Sequence, residues 1–262
     1  MMRTLFVAWQ QPDSKEWIPV AKLEFNEGKY AFSYTRGIFR AKNFGLFSGL
    51  QQIDSVYESP RLFPLFANRL ISKSRPEFKD YLRWLGLSDM TDDPMAILAL
   101  TGGIRGTDSI ELFQPPEVSE HGEYKLEFFA RSLSHLPGAA IDRIAALQKE
   151  ERIFLMPDPQ NDFDTKAVAM RTGTPSTFLG YCPKYYAQYL GTLLAHPECG
   201  LTVTVKCVNL DAPSNMRLLC SVKASVPSVF APLSGESDFL PVHGIPAEWV
   251  QHTTSLDEVM QG

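Results

Sequence analysis

The sequence predicts an α+β, mainly β protein, in which a small N-terminal β-sheet with helices precedes a small, partly open β-barrel of the OB type. Two observations predict this fold class. Short runs of β-branched and aromatic residues, separated by polar turns, occur in both halves of the chain. Only a few segments carry apolar residues at helical spacing, and the 262 residues suffice for two domains of ordinary size.

The first half opens with three predicted strands. The runs LFVAWQ (5–10), WIPVAKLEF (17–25) and YAFSYT (30–35) are rich in β-branched and aromatic residues. The intervening QPDSKE and NEGK segments have the polar and glycine-containing composition of turns. This arrangement indicates a small β-sheet at the start of the chain.

Helices and one more strand complete the predicted first half. Residues 59–87 place apolar side chains at helical offsets in two successive runs. Residues 92–103 predict a third helix, because aspartates and a proline precede its apolar run and two glycines follow it. The strand SIELFQPP (109–116) ends in two prolines, so the first domain is predicted to span residues 1–122.

The second half predicts five or six short strands around one or two helices, which is the pattern of an OB-type barrel. The runs 201–208 and 216–224 flank a DAPSN turn and so predict a β-hairpin. The other predicted strands are 124–133, 152–157, 167–172 and 177–182, and the predicted helices are 139–148 and 183–196. The barrel domain is therefore predicted to span residues 123–225.

The remaining residues, 226–262, show no periodic pattern and predict an acidic tail that is either flexible or docked. They contain five acidic residues and no Lys or Arg, so they supply the net charge of −5. Neither predicted domain has the basic field that attracts duplex DNA by counterion release. Any nucleic-acid binding is therefore expected to be weak, small in footprint or specific for strand ends.

The motifs of common enzyme and metal-site classes are missing from the sequence. The glycine-rich segment TGGIRGTDS (101–109) lacks the lysine of a phosphate-binding loop, and kinase motifs and a GxSxG elbow do not occur. The five histidines show no HExxH spacing, and the four cysteines form no CxxC pair. We therefore predict a non-enzymatic protein with no catalytic residue, metal or cofactor. A cytoplasmic location is predicted, since neither a leader peptide nor a membrane-spanning run is recognisable.

The segment MPDPQNDFDTKAVAM (156–170) concentrates acidic residues in a short turn. As a calcium loop beginning at Asp158 it fails, because Phe163 stands where a glycine is needed and Ala169 where a glutamate is needed. One interpretation is a structural turn, since Asn and Asp side chains bond to their own backbone. The other is a recognition site, in which the turn presents Phe163 beside Asp164.

Three segments of the second half resemble, in order, the HIRAN domain, a small modified OB-like barrel found alone in bacteria and attached to chromatin-remodelling helicases. They are FFARSLSH (128–135), IFLMPDPQNDFDTKAVAM (153–170) and FLGYCPKYYAQYL (178–190). The family pattern L-x-x-[DE]-P-x-N-x-[YF]-D-x-x-A-[VI] is matched from Leu155 to Val168. A second pattern, G-Y-x-P-[KR], is matched from Gly180 to Lys184.

The resemblance implies contact with single-stranded DNA, whose 3′ end the helicase-type HIRAN domains capture. It implies that the ring of Phe163 stacks on the terminal base and that the carboxylate of Asp164 accepts a hydrogen bond from the 3′-hydroxyl. Helicase-type members carry a basic residue followed by an aromatic where this chain has Ser134 and His135. The residues implied for the site are Asn161, Phe163, Asp164, Arg131, His135, Tyr181, Lys184 and Tyr185.

Two segments of the first half are similar to the N-terminal subdomain of HipA-type toxin kinases. They are PVAKLEFNEGKYAFSYTRG (19–37) and LFPLFANRLISKSRPEFKDYL (62–82), and the residues expected to bind a partner are Asn68, Arg69 and Arg75. The resemblance implies a bacterial antitoxin-like regulator that docks on a HipA-like kinase, with a helix-turn-helix DNA-binding protein as a further partner. Two alternatives stay open: a stand-alone DNA-end-binding protein in repair or phage defence, and a hydrolase acting on nucleic acid.

Overall fold

The computed structural model of the chain describes residues 3–87, 93–226 and 237–243. The chain divides into two compact units, and each unit draws on separated parts of the sequence. The first unit is assembled from Met1–Leu70, Gly102–Pro115 and Leu233–Gly262, and the second from Ile71–Thr101 and Pro116–Pro232. This division differs from the predicted boundary after residue 122, because the helical region 71–101 groups with the second half of the chain.

In its described part, the first unit contains a five-stranded antiparallel sheet. Its strands are β1 (Arg3–Gln10), β2 (Trp17–Asn26), β3 (Lys29–Tyr34), β4 (Tyr57–Ser59) and β5 (Ile110–Phe113). The strand order is β4-β3-β2-β1-β5, and a single helical turn, α1 (Pro64–Ala67), follows β4. The sequence predicts every strand except β4, whose three residues are too few to show an alternating pattern.

Aromatic side chains dominate the core of the first unit. Phe32 and Tyr34 on β3 are fully buried, with their ring centroids 5.0 Å apart, and Phe66 on α1 lies 6.1 Å from Phe32. Each such side chain removes about 150–250 Å² of surface from water when it is buried. The aromatic runs that predict the strands therefore also supply the apolar surface that stabilises the unit.

A short C-terminal segment docks on the first unit. The ring of Phe239 lies 4.8 Å from that of Phe6 on β1, measured between centroids, and Pro241 forms a β-bridge with Thr35. This segment, residues 237–243, belongs to the predicted acidic tail. Nearly all the other residues of that tail lie outside the described part of the chain.

Arg69, one of the residues predicted to bind a partner, is buried inside the first unit. Its side chain is 1% exposed and donates hydrogen bonds to the Asp108 carboxylate at 2.6 Å and to the Gly103 carbonyl at 2.8 Å. A buried guanidinium needs such partners, because removing an unpaired charge from water is costly. Arg69 therefore fixes the segment that leads into β5, a position that does not fit a partner-binding role. Asn68 and Arg75 are exposed.

The buried hydroxyl of Tyr34 gives a test of the packing of this unit. It donates a hydrogen bond to the Leu50 carbonyl at 2.7 Å and accepts one from the Phe47 N–H at 3.0 Å. Burial raises the pKa of Tyr34 to about 12, so the folded state favours the neutral phenol. We expect Tyr34→Phe to lower the free energy of unfolding by about 1–3 kcal/mol at pH 8, because two buried groups lose their partner.

This difference between wild type and Tyr34→Phe should shrink as the pH rises. The unfolded phenol ionises near pH 10, so the stability that depends on the neutral Tyr34 hydroxyl is complete below about pH 10 and is lost as the pH approaches about 12. At pH 10.5 the difference is expected to be smaller by about 1 kcal/mol. Urea denaturation followed by circular dichroism at both pH values measures it. If Tyr34→Phe lowers the free energy of unfolding by the same amount at pH 8 and pH 10.5, the raised pKa of Tyr34 is contradicted.

Within the residues that the structure describes, the second unit contains a seven-stranded antiparallel sheet and four α-helices. The strands are β6 (Glu117–Val118), β7 (Glu123–Phe129), β8 (Arg152–Pro157), β9 (Val168–Arg171), β10 (Phe178–Tyr181), β11 (Thr202–Val208) and β12 (Leu218–Ser225). The helices are α2 (Phe78–Trp84), α3 (Pro94–Thr101), α4 (Gly138–Ala145) and α5 (Lys184–Ala195). The strand order is β10-β9-β8-β11-β12-β7-β6. The two-residue strand β6 lies in the polar segment where the sequence predicts a domain boundary.

A β-bridge joins β10, at one edge of this sheet, to the chain that follows β7, the strand next to the other edge. Arg131, which follows β7, and Tyr181, which ends β10, exchange backbone N–H···O bonds of 2.8 and 3.1 Å. The six strands from β7 to β10 in the strand order are thereby closed into a small barrel. Its interior is apolar, as the fully buried side chains of Met170, Leu179 and Val222 illustrate.

Helices α2 and α3 are integral parts of the second unit. The carbonyl of Trp84, the last residue of α2, accepts a hydrogen bond at 2.8 Å from the side-chain amide of Asn209, which follows β11. The next residue, Leu85, is fully buried. The carboxylate of Asp93 caps α3 by accepting from the Met95 N–H at 3.1 Å, and α3 contacts β7.

Candidate nucleic-acid interface

The acid-rich segment of the sequence forms the loop between β8 and β9. The Asp158 N–H donates to the Ala167 carbonyl at 2.8 Å, which closes the loop at its base. A second backbone bond, from the Asn161 N–H to the Asp158 carbonyl at 3.1 Å, folds its first half into a turn. We call residues 158–167 the end loop.

The side chain of Asn161 organises the centre of the end loop. Its Oδ1 atom accepts hydrogen bonds from the backbone N–H groups of both Phe163, at 3.0 Å, and Asp164, at 3.1 Å. Its Nδ2 atom donates to the Asp158 carboxylate at 3.3 Å. An asparagine that bonds two successive N–H groups fixes the local backbone without regular secondary structure. Asn161 therefore sets the positions of the two residues that follow Asp162.

Phe163 and Asp164 differ sharply in exposure although they are adjacent. Phe163 is 82% exposed, the highest value among the large apolar residues that the structure describes, whereas the Asp164 side chain is only 17% exposed. The Asp164 Oδ1 atom accepts from the Lys166 N–H at 3.0 Å, which holds the carboxylate in place. The loop thus presents a free phenyl ring beside a fixed, partly sheltered carboxylate.

Lys184, the first residue of α5, brings a positive charge to this pair. Its ammonium group lies 4.0 Å from the Asp164 Oδ2 atom and 3.4 Å from the Phe163 carbonyl oxygen. A second contact between helix and loop joins the Lys166 ammonium to the Gln188 side chain at 2.8 Å. Pro183 precedes the helix and its fixed φ suits the first turn, so the G-Y-x-P-[KR] pattern positions Lys184 at the loop.

Tyr181 supports the end loop from β10. Its hydroxyl donates to the Asp158 Oδ2 atom at 2.8 Å. This hydrogen bond raises the pKa of Tyr181 because it stabilises the neutral phenol, and partial burial adds to the shift. Tyr181 therefore ties the base of the loop to the barrel wall, and its ring lies 5.2 Å from the ring of Phe178.

The other residues implied by the family resemblance lie in two places. The guanidinium of Arg131 donates to the Tyr185 hydroxyl at 3.0 Å, so these two side chains form a pair next to the barrel-closing bridge. His135 is exposed, and its backbone N–H donates to the Ser132 carbonyl at 3.1 Å. No hydrogen bond within the described residues joins His135 to the end loop. Hydrogen bonds and one ion pair therefore connect Asn161, Phe163, Asp164, Tyr181 and Lys184 through the end loop, and His135 is not part of this network among the described residues.

The structure adds Asp158 to the group of residues that form the site. In the sequence, Asp158 stands out only as a family-pattern position and as the first acid of a segment that does not fit a calcium loop. In the structure its carboxylate accepts from both Tyr181 and Asn161. The sequence does contain a signal for the role of Asp158. Asp158 belongs to the first matched pattern and Tyr181 to the second, so the two patterns together supply both partners of this hydrogen bond.

Neither a metal-binding cluster nor a membrane-spanning helix is found among the described residues. Across residues 3–87, 93–226 and 237–243, no three His, Cys, Asp or Glu side chains are grouped so that they could hold a metal ion. Within the same ranges no helix has the length and apolar character needed to cross a membrane.

Comparison with known proteins assigns part of the chain to a family. The family model of the HIRAN domain matches residues 124–227. A crystal structure of a protein from Lactobacillus plantarum is 16% identical with a TM-score of 0.31, and the match covers 39% of this chain and 97% of that one. The HIRAN domain of human HLTF is 14% identical with a TM-score of 0.30, over 40% of this chain and 75% of that one.

Curated protein sequences give no match to the chain. The family match begins at residue 124, so the resemblance of the first half to HipA-type kinases stays a prediction. For the second half, the two sequence patterns and the family match agree. Residues 124–227 carry a HIRAN domain.

Proposed function

We propose that the HIRAN domain binds the 3′ end of single-stranded DNA at the end loop. The observation that carries this proposal is the 82% exposed ring of Phe163, held by Asn161 beside the fixed carboxylate of Asp164. An exposed phenyl ring on a hydrogen-bonded loop has no role in the core. It is suited to stacking against a nucleic-acid base, which contributes about 1–3 kcal/mol per base.

The charges around the ring favour a strand end over an internal nucleotide. A carboxylate accepts a hydrogen bond from a free 3′-hydroxyl, whereas it repels the phosphate that replaces this hydroxyl inside a strand. Lys184, 4.0 Å from Asp164, is placed to pair with the phosphate on the 5′ side of the terminal nucleotide. Asp164 and Lys184 together therefore select a nucleotide with one phosphate and one free hydroxyl.

We propose that the site acts by binding and not by catalysis. Asp158 already accepts from Tyr181 and Asn161, and Asp164 accepts from the Lys166 backbone, so these carboxylates serve as structural acceptors. A hydrolase would need a general base or a nucleophile oriented by a second group. The interactions of these acids support a recognition role more than the alternative of a nucleic-acid hydrolase.

The predicted partner of the first half is a HipA-like kinase, and this part of the proposal rests on sequence resemblance. Of the residues named for it, Asn68 is exposed on the first unit and Arg75 is exposed on the second. Co-purification of the full chain with a HipA-like kinase encoded next to it tests the docking. Loss of the complex in Asn68→Asp is the expected result, and a kinase that does not co-purify with the wild type contradicts the proposal.

Binding of a free 3′ end is tested with two oligonucleotides of one sequence. One ends in a 3′-hydroxyl and the other in a 3′-phosphate, and fluorescence anisotropy gives the dissociation constant of each. We expect the 3′-hydroxyl strand to bind about 10-fold more tightly or better, because Asp164 repels the added phosphate. Equal affinity for the two strands would overturn end capture.

Two substitutions separate stacking from end selection. Phe163→Ala should weaken binding of the 3′-hydroxyl strand by about 1–3 kcal/mol, which is roughly 5- to 150-fold. Asp164→Asn keeps the shape but removes the charge, so it should remove the discrimination against the 3′-phosphate strand. Phe39→Ala, which truncates a 38% exposed ring in the first unit, is the matched control and should leave both affinities unchanged.

A further inference from the structure

The outward side of strands β8, β9 and β10 carries rings and guanidinium groups that the end loop does not use. Arg171 on β9 lies opposite Phe154 on β8 and opposite Phe178 on β10, so these three side chains share one face of the sheet. Arg152 and Met156 stand two residues before and after Phe154 and share this face too. We call these five side chains the arginine–aromatic face.

Strand alternation separates this face cleanly from the barrel interior. The neighbouring residues Ile153 and Leu179 point inward and are 2% and 0% exposed. Met156 and Phe178 are each 38% exposed, and Arg152 is exposed as well. The barrel core therefore does not bury the large apolar side chains on this outer face. Contiguous exposed apolar groups of this kind mark interaction surfaces.

The ring of Phe154 is shared by two positive charges. The guanidinium carbon of Arg152 lies 5.0 Å from the ring centroid and that of Arg171 lies 4.9 Å from it. The two charges are thus at most about 10 Å apart, within the Debye length at ordinary ionic strength, and repel each other. Among the described residues neither guanidinium forms an ion pair with a carboxylate, so an anionic ligand would be stabilised between them.

This face is continuous with the end loop through Tyr181. The Tyr181 ring contacts the Phe178 ring at 5.2 Å on one side, and its hydroxyl bonds to Asp158, the first residue of the loop, on the other. Tyr181 also lies opposite Ala169, two residues before Arg171, which places it on the same side of the sheet. An extended ligand held at the loop therefore has a path across β10 and β9 to β8.

We propose that the arginine–aromatic face binds the body of the DNA strand whose 3′ end lies at the end loop. Phosphates lie beside Arg152 and Arg171, whose guanidinium groups pack over the Phe154 ring, and a base stacks on the exposed ring of Phe178. Alternating anions and flat apolar groups are the chemistry of a single strand, and barrels of this size engage about 4–16 nucleotides. This inference rests on the proposed function and extends the bound ligand from a terminal nucleotide to an oligonucleotide.

The test uses the full chain and oligothymidylates of 3 and 12 nucleotides, each with a free 3′-hydroxyl. The wild type should bind the longer strand more tightly. In Arg152→Gln/Arg171→Gln, affinity for the 12-mer should fall about 10-fold, and the slope of log K against log salt should decrease by about 1.4, the value for two lost phosphate contacts. Affinity for the 3-mer should not change.

A second variant and a charge-matched control make the test specific. Phe178→Ala should weaken 12-mer binding by about 5- to 150-fold and leave the salt slope unchanged, because it removes a stacking ring and no charge. The control Lys125→Gln/Lys223→Gln removes the same net charge from β7 and β12, on another part of the barrel. It should reproduce the wild-type affinities for both strands.

The outcomes distinguish this inference from the proposed function. If the wild type prefers a 3′-hydroxyl but binds 3-mer and 12-mer equally, end capture stands and the arginine–aromatic face is overturned. A second result would separate them in the other direction. The wild type would bind the 12-mer more tightly than the 3-mer, Arg152→Gln/Arg171→Gln would remove this difference, and strands with a 3′-hydroxyl and a 3′-phosphate would bind equally. The arginine–aromatic face would then stand and end capture would fail. Equal binding of poly-glutamate and the 12-mer also overturns the inference, because a polyanion without bases cannot stack.

Discussion

Leu85→Ala is expected to destabilise the second unit by about 2–5 kcal/mol, the range for truncation of a fully buried leucine. Leu85 has no exposed surface and directly follows α2, whose last carbonyl accepts from Asn209 at 2.8 Å. The sequence-based boundary after residue 122 assigns α2 to the first domain. The substitution therefore also tests to which unit the helices at 71–101 belong.

Urea denaturation of the full chain measures the loss, and hydrogen exchange locates it. Backbone amides of β11 and β12 should lose protection in Leu85→Ala, while those of β1 and β2 should keep it. Leu210→Ala removes the same atoms from a residue that is 61% exposed and should change stability by no more than about 0.5 kcal/mol. Loss of protection confined to the first unit would contradict the assignment of α2 to the second.

Gly180→Ala is expected to cost at least about 3 kcal/mol and to open the barrel at its closing bridge. Gly180 has a φ of +99°, a conformation that other residues rarely adopt. A β-carbon at this position would lie 2.2 Å from the Arg131 carbonyl oxygen, so the backbone of one strand must move. That carbonyl accepts the Tyr181 N–H at 3.1 Å, which is one of the two bonds of the bridge.

Gly200→Ala is the control that separates backbone strain from steric clash. Gly200 also has a positive φ, +57°, but a β-carbon there would meet no atom within 4 Å. It should therefore cost only about 1–2 kcal/mol, the penalty for a left-handed residue. Thermal unfolding of both variants measures the difference. If Gly180→Ala is no more destabilising than Gly200→Ala, the bridge is not important for closure.

Much of the fold follows from short-range patterns in the sequence. The strands β1–β3 and β7–β12, and the helices α4 and α5, coincide with the predicted segments to within a few residues, because each segment is rich in apolar residues and is bounded by polar, glycine or proline residues. The strands β4 and β6 are too short to show a period. Their pairing depends on neighbouring strands that are distant in sequence.

The division into units could not be predicted, because it depends on contacts between distant parts of the chain. The Pro-Pro at residues 115–116 marks a real change of unit, but the helices before β5 pack with residues that follow it. The bond from Asn209 to the Trp84 carbonyl joins positions 125 residues apart. Periodicity and turn chemistry do not report on such pairs.

For the candidate site, the family pattern names residues that prove to be neighbours in the structure, and their role in binding DNA stays a prediction. Phe163 and Asp164 are named from the family pattern, and the structure places them side by side with Lys184. Their fixation by Asn161 is consistent with the turn-forming property of asparagine. The cross-strand group of Phe154, Arg171 and Phe178 needs the strand register, which single-strand patterns do not contain.

The docked segment 237–243 has a consequence for the order in which the chain folds during its synthesis. The described part of the second unit is complete once Val226 has been made, but the first unit lacks Phe239 and Pro241 until the ribosome has passed them. At about 5–20 residues per second, the interval between β5 and this segment is on the order of ten seconds. During that time the part of the Phe6 ring that Phe239 covers stays exposed, so the unit that starts first along the chain is the last to be finished on the ribosome.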